Sequence, residues 1–216
     1  LGPTISGSFL RTVVGMVNKL GADMVAVTGD LVDGSARHIR GQVAALADLQ
    51  SRDGTFFVTG NHEYYSGAEV WCDTMAELGL KVLNNSHAVV ARGKAQLLVA
   101  GVTDFRAHRI LPVHRSDPAV AVAGAPRCDA RVLLAHQPKS SAAARRHGFD
   151  LQLSGHTHGG QMFPWNFVVG RFHPFVRGLN RFGKGWVYVN QGTGYWGPPM
   201  RIGTAPEITL LTLKRG

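Results

Sequence analysis

Acidic residues are scarce in this chain: 14 Asp and Glu stand against 23 Lys and Arg, a formal charge of +9. The imbalance argues against basic partners and favours polyanionic ones, namely phosphorylated substrates, nucleic acid or an anionic membrane surface. Cysteine is nearly missing too. Cys72 and Cys128 stand alone without a CxxC spacing, which argues against a disulfide framework or a thiolate metal site and leaves two ordinary thiols. No apolar run reaches the roughly 18 residues that a membrane-spanning helix needs. Nor does any internal repeat, low-complexity tract or linker divide the chain, so one domain over residues 1–216 is expected. A hydrophobic share of 44% against 17% charged excludes disorder and supplies a sizeable core. The first residue is Leu1 rather than Met, so a signal or anchor upstream stays open.

What is present follows one grammar. Residues 8–20 place Val13, Val14, Val17 and Leu20 at helical spacing and stop at Gly21. A short apolar strand, Met24 to Thr28, then runs into Gly29-Asp30. Three later segments repeat the pattern: Phe56 to Thr59 before Gly60-Asn61-His62, Val132 to Ala135 before His136, and Leu151 to Ser154 before Gly155-His156-Thr157-His158. Helix-like stretches at 38–50, 67–79 and 139–147 lie between them, which predicts an α/β order with a largely buried sheet. In such sheets ligands bind beyond the carboxyl ends of the strands, where these polar residues would converge. Val89 to Ala100 is expected to be a hairpin around Arg92-Gly93-Lys94, with further strands at Trp186 to Asn190 and Ile208 to Leu213.

Taken singly, each polar residue has a plain alternative. Asp30 suits a turn, Asn61 suits a turn or helix cap, and His136 suits a satisfied buried histidine. The His156/His158 pair is harder to explain that way, because two imidazoles one residue apart between Gly155 and Gly159-Gly160 form a good ligand pair for a transition metal.

The segments GDLVDG, GNHEYY, LLAHQP and GHTHGGQ, in that order, resemble the motif series of the calcineurin-like metallophosphoesterases. GTGYWGPPMR near the end resembles a bacterial branch whose full-length members often carry upstream membrane segments. The resemblance implies an α/β fold of four layers, α/β/β/α, with two sheets face to face. It also implies a centre of two divalent transition metal ions (Mn, Fe, Zn or Co) that hold a hydroxide for attack on phosphorus. Carried over to this chain, Asp30 would bridge both metals, Asn61, His136 and His156 would complete one, and His158 would bind the other. His62 would act at the leaving oxygen as general acid or transition-state stabiliser. Glu63 receives no role.

One departure stands beside the match. The family begins with a strand ending in Asp-x-His, and no Asp-x-His occurs in residues 1–216. The expectation is a sheet lacking its first strand and a weakened or empty second metal site, with one tightly bound ion or fewer. Two function classes follow. The first is a metal-dependent hydrolase of phosphomonoesters, phosphodiesters or pyrophosphates, with a lipid-linked or envelope substrate. The second is a metal- and anion-binding module with little turnover. Arg201 is a candidate phosphate clamp. The stretch Arg171 to Lys184 interleaves Arg171, Arg177, Arg181 and Lys184 with Phe172, Phe175 and Phe182, which suits a solvated loop, an anionic lipid surface or, ranked lower, single-stranded nucleic acid. The remaining histidines, His38, His87, His108, His114, His147 and His173, are expected to be exposed or structural.

Overall fold

The computed structural model describes residues 1–2 and 4–214. The helical spacing near the start becomes α1 (Gly7–Lys19), which buries Leu10 and Val14 and ends before Gly21 at φ 58°. The first sheet is all parallel, in the order β1 (Met24–Val27), β2 (Gly54–Phe57), β3 (Lys81–Val82). Its connections contain α2 (Ala36–Val43), α3 (Asn61–Tyr65) and α4 (Ala68–Glu77).

The second sheet holds six strands: β4 (Ser86–Arg92), β5 (Ala95–Gly101), β6 (Ala130–Leu134), β7 (Leu151–Ser154), β9 (Gly185–Val189) and β8 (Gly178–Phe182), in that spatial order. β4 and β5 form the expected antiparallel hairpin, turning through Gly93, and β5, β6, β7 and β9 run parallel. Short helices α5 (Pro118–Ala121), α6 (Ser141–Ala144) and α7 (Trp165–Val168) complete the chain.

Strand alternation fixes the layers. On β2, Phe56 joins Val99, Val132 and Leu134 of the second sheet in one buried cluster, while its neighbour Phe57 joins Leu10, Val43, Trp71 and Met75 of the helices in another. On β6, Leu133 points the other way, toward Ala144 and Phe149. Two sheets therefore meet face to face with helices on each outer surface, the four-layer α/β/β/α order. Burying each such Phe or Leu is worth about 1.5–3 kcal/mol, so the layers are fixed well away from the strand ends that carry chemistry.

Two expectations on strands fail. Ile208–Leu213 is not a strand: it has no ladder partner among the described residues, and Leu210, Leu211 and Leu213 are exposed. Alternating apolar residues form a strand only beside a backbone that takes their hydrogen bonds. This segment is held instead through side chains, with Thr209 Oγ1 accepting from Asn190 Nδ2 at 3.0 Å. Conversely, five residues of the Arg171–Lys184 stretch are strand β8, paired to β9 from Gly178↔Val189 to Phe182↔Gly185. Its charges had masked a regular edge hairpin.

Candidate metal centre

Parallel strands deliver the polar residues to one place. Asp30 follows β1, Asn61 follows β2, His136 follows β6 and His156 follows β7. Close backbone approach seats the first two: a Cβ on Gly60 would lie 2.2 Å from Asp30 Oδ1, and one on Gly29 would lie 2.4 Å from Gly60 N. Only glycine fits at either position.

Asp30, His136 and His156 bring one ligand atom each within 4.8 Å of one another. His136 Nε2 stands 2.9 Å from Asp30 Oδ2 and 3.1 Å from His156 Nδ1. The other ring nitrogen, Nδ1, donates to the carbonyl oxygen of Thr28 at 2.7 Å, which aims Nε2 at the centre. A divalent cation fits this donor set. Asn61 Oδ1 is buried without a hydrogen-bond partner among the described residues, an uncompensated cost unless something electropositive meets it.

Without a metal, Asp30 and His136 form a buried ion pair, and His136 must give up its proton to serve as a ligand. Burial alone would push the Asp30 carboxyl up, yet the His136 imidazole outweighs it and holds Asp30 well below the usual carboxylate range. Burial likewise opposes charge on His136, but Asp30 lifts it to about 9. His156 is driven far down by burial and then by His136, so its ring is neutral, as a ligand must be. His173 packs edge-on against His156, ring centroids 5.1 Å apart. Sequence reasoning had set His173 aside because nothing in its neighbourhood follows the strand-end grammar.

His62 opens α3. Its backbone N–H donates to Asp30 Oδ1 at 2.9 Å, and its ring Nδ1 lies 3.1 Å from Asp33 Oδ1, with the side chain partly open to solvent. Asp33 therefore orients the ring while the other nitrogen stays free.

Glu63, given no role by the sequence, is completely buried and gathers the site from behind. Oε2 accepts from Asp30 N at 2.9 Å and Gly60 N at 2.6 Å; Oε1 accepts from Leu31 N at 2.7 Å and Val32 N at 3.3 Å. Burial and the Asp30 charge push its carboxyl up, but both oxygens are occupied by N–H donors, the arrangement an ionised carboxylate requires. A second buried acid was also missed. Asp104 lies just past β5 and takes both oxygens to Gln137 Nε2, at 3.2 and 2.9 Å. The signal existed, since Gly101-Val102-Thr103-Asp104 repeats the strand-then-polar pattern.

His158 and Arg201 stand together outside the three-residue cluster. Arg201 Nη2 donates to His158 Nδ1 at 3.2 Å, to Gln191 O at 2.7 Å and to Gly192 O at 3.1 Å, and Nη1 reaches His158 O at 3.3 Å. Nε and Nη2 both bond Gly194 O. Burial and then the Arg201 charge lower His158 to about 4. The guanidinium is thus committed to backbone carbonyls and to His158.

The model of calcineurin-like phosphoesterases matches residues 8–160. The chain belongs to this family. It is 40% identical over 223 residues to the transmembrane protein with metallophosphoesterase domain of Danio rerio, covering 100% of this chain and 51% of that protein. It is 36% identical over 216 residues to an uncharacterised metallophosphoesterase of Campylobacter jejuni, covering 99% and 56%. The chain therefore spans about half the length of these relatives. Among solved structures, the NAD nucleotidase of Haemophilus influenzae superposes with a TM-score of 0.56 at 15% identity, over 86% of this chain and 43% of that one. A sulfate thiohydrolase of Thermus thermophilus gives 0.54 at 20% identity, over 85% and 36%. At that identity the likeness establishes the fold alone. No helix among the described residues is long and apolar enough to cross a membrane.

Proposed function

We propose that this metallophosphoesterase chain hydrolyses a phosphoester bond with one divalent transition metal ion held by Asp30, Asn61, His136 and His156. The observation that carries the reading is the cluster of Asp30, His136 and His156, whose ligand atoms lie within 4.8 Å of one another, with Asn61 next to His62, whose N–H bonds Asp30 Oδ1. A bound Mn, Fe, Zn or Co ion would supply Lewis acidity toward a phosphoryl oxygen and make water more acidic. The protein's own part is positional. The His136–Thr28 bond fixes which nitrogen faces inward, Glu63 holds the Asp30 turn, and His62, aligned by Asp33, presents its free nitrogen at the edge of the centre. That nitrogen can protonate a leaving oxygen or stabilise charge on the transferring group.

The second metal of the family pattern has weaker support here. Asp30 and His158 are the candidate ligands for it, and His158 Nδ1 is engaged by Arg201. One tightly held ion per chain of residues 1–216 is the expected stoichiometry. The second reading, a metal- and anion-binding module with little turnover, draws on the same feature. The substrate class we favour is a phosphorylated, lipid-linked or envelope compound; nucleic acid ranks below it.

Elemental analysis and a phosphatase assay with added Mn, run on the parent chain, Asp30→Ala and His62→Ala, test this. The hydrolase reading expects about one equivalent of metal in the parent and in His62→Ala, much less in Asp30→Ala, and a roughly 100- to 10,000-fold drop in turnover for His62→Ala. Equal background activity in all three would favour the binding module, and absence of metal from the parent would sink both.

A further inference from the structure

From Leu151 through Pro206 the chain contains no Asp or Glu, yet it carries Arg171, Arg177, Arg181, Lys184 and Arg201. Arg201 is absorbed by the centre. The other four side chains are exposed, and none pairs with a carboxylate among the described residues. The same region holds an unusual density of exposed aromatics. Phe163 is 64% exposed, Phe167 74%, Phe172 54% and Trp165 40%. If these rings capped the core they would be covered; only Phe175 and Phe182, packed edge-on at 5.4 Å, fit that description.

The exposed rings form two contacting pairs that share one helix. Phe163 meets Phe167 at 5.9 Å between centroids, and Trp165 stacks on Phe172 at 5.7 Å. Helix α7 carries one ring of each pair, Trp165 and Phe167, and buries none of its own residues. A structured element that buries nothing of its own, flanked by exposed Phe and Trp and by unpaired cations, has the composition of a segment lying at a membrane interface. A single-strand nucleic-acid platform needs open ring faces for bases. Here the Trp165 and Phe172 faces cover each other, and Arg181 lies over Trp186 at 5.6 Å.

We propose that the face from Phe163 to Lys184 docks on the surface of an anionic phospholipid bilayer, with the aromatics entering the headgroup boundary and Arg171, Arg177, Arg181 and Lys184 meeting the lipid phosphates. The face borders the metal centre: Phe172 is followed by His173, whose ring packs against His156. Docking would therefore bring the centre to the level of lipid headgroups. Docking does not depend on the hydrolase reading; delivery of a lipid-borne phosphoester to the centre rests on it.

Co-sedimentation with phosphatidylcholine vesicles, with and without phosphatidylglycerol, tests the docking on the intact chain. Each Lys or Arg near such a surface is worth a factor of about five in partitioning, so Arg171→Gln with Arg177→Gln should weaken binding to the anionic vesicles roughly 25-fold. Phe163→Ser with Phe167→Ser should weaken it at least about tenfold, by loss of apolar burial. Both pairs are exposed, so thermal unfolding should match the parent and exclude misfolding. Tryptophan emission should shift to the blue on anionic vesicles, with most of the shift lost in Trp165→Phe. Equal binding to both vesicle types, unchanged binding by either double variant, or binding to a single-stranded oligonucleotide without vesicle binding would each overturn the proposal. Because sedimentation needs no turnover, an inactive chain that still binds separates failure of the hydrolase reading from failure of docking.

Discussion

Removing Glu63 should damage the centre more than its silent place in the sequence implies. Glu63→Ala deletes four acceptor contacts at once, to the N–H groups of Asp30, Leu31, Val32 and Gly60. A buried donor left without a partner costs about 1–3 kcal/mol. Water entering the vacated space would satisfy some of the four, which leaves a net loss of about 4 kcal/mol. For a domain of this size that is a fall of roughly 8–16 °C in Tm. Metal affinity should drop about 10- to 100-fold as well, because the Asp30 turn loses the carboxylate that holds its backbone. Glu63→Gln keeps the volume but sets an NH2 against two N–H donors, so it should fall between parent and Ala variant. Thermal unfolding of the metal-free chains and calorimetric titration with Mn measure the two effects separately. An Ala variant within about 0.5 kcal/mol of the parent, binding metal equally well, would refute the claim that Glu63 organises the site.

Two further outcomes are expected. Arg201→Lys keeps the charge but loses the fork that reaches His158 and the carbonyls of Gln191, Gly192 and Gly194; stability should fall by about 2 kcal/mol. A raised KM with an unchanged Tm would instead make Arg201 the phosphate clamp that its place in GPPMR suggested. For pH, His136 rises to about 9 in the folded chain, above its unfolded value, so its ion pair with Asp30 stabilises fully below about pH 6.5 and is lost as pH rises through about 9. Asp30 is shifted the other way, and its contribution is lost as pH falls below the ordinary carboxylate range. The metal-free chain should therefore lose Tm between about pH 6.5 and about pH 9.5, a slope that saturating Mn should abolish; a flat metal-free profile would contradict the Asp30–His136 pairing.

The α/β order and the convergence of Asp30, His136 and His156 were legible as local pattern, whereas the four layers followed from the family resemblance. Short apolar runs that end in Asp30, Asn61, His136 and His156 needed only the rule that parallel strands present their carboxyl ends together. Glu63 was only partly legible: its bond to Gly60 N–H follows the capping spacing of a helix start, but its bonds to Asp30, Leu31 and Val32 reach about 30 residues along the chain, and no spacing encodes that. Arg201 was visible as a cation but not as a donor to carbonyls, since carbonyls leave no trace in the sequence. Ile208–Leu213 shows the opposite failure. Its alternation is genuine strand propensity, but pairing is a property of a neighbour, which propensity does not supply.

Glu63 and Arg201 account for a further feature of the backbone. Among the described residues, the non-glycine positions at positive φ are Asp30, His156, His158, Gln161 and Asn85, and the first four belong to the turns at the centre or border it. For an L-residue that conformation costs roughly 1–2 kcal/mol, so these turns form only where the surroundings impose them. On one side an acid does so: Glu63 accepts from the N–H groups of the Asp30 turn. On the other side a base does so, Arg201 donating to the carbonyl of His158 and to those of Gln191, Gly192 and Gly194. Gln161 is held in both senses by Trp196, donating to its carbonyl at 2.7 Å and accepting from its N–H at 2.8 Å. Charges of opposite sign, each matched to the backbone group it can bond, thus hold the turns at Asp30 and at His158. The backbone strain at Asp30 is thus held by Glu63, a residue outside the candidate ligand set.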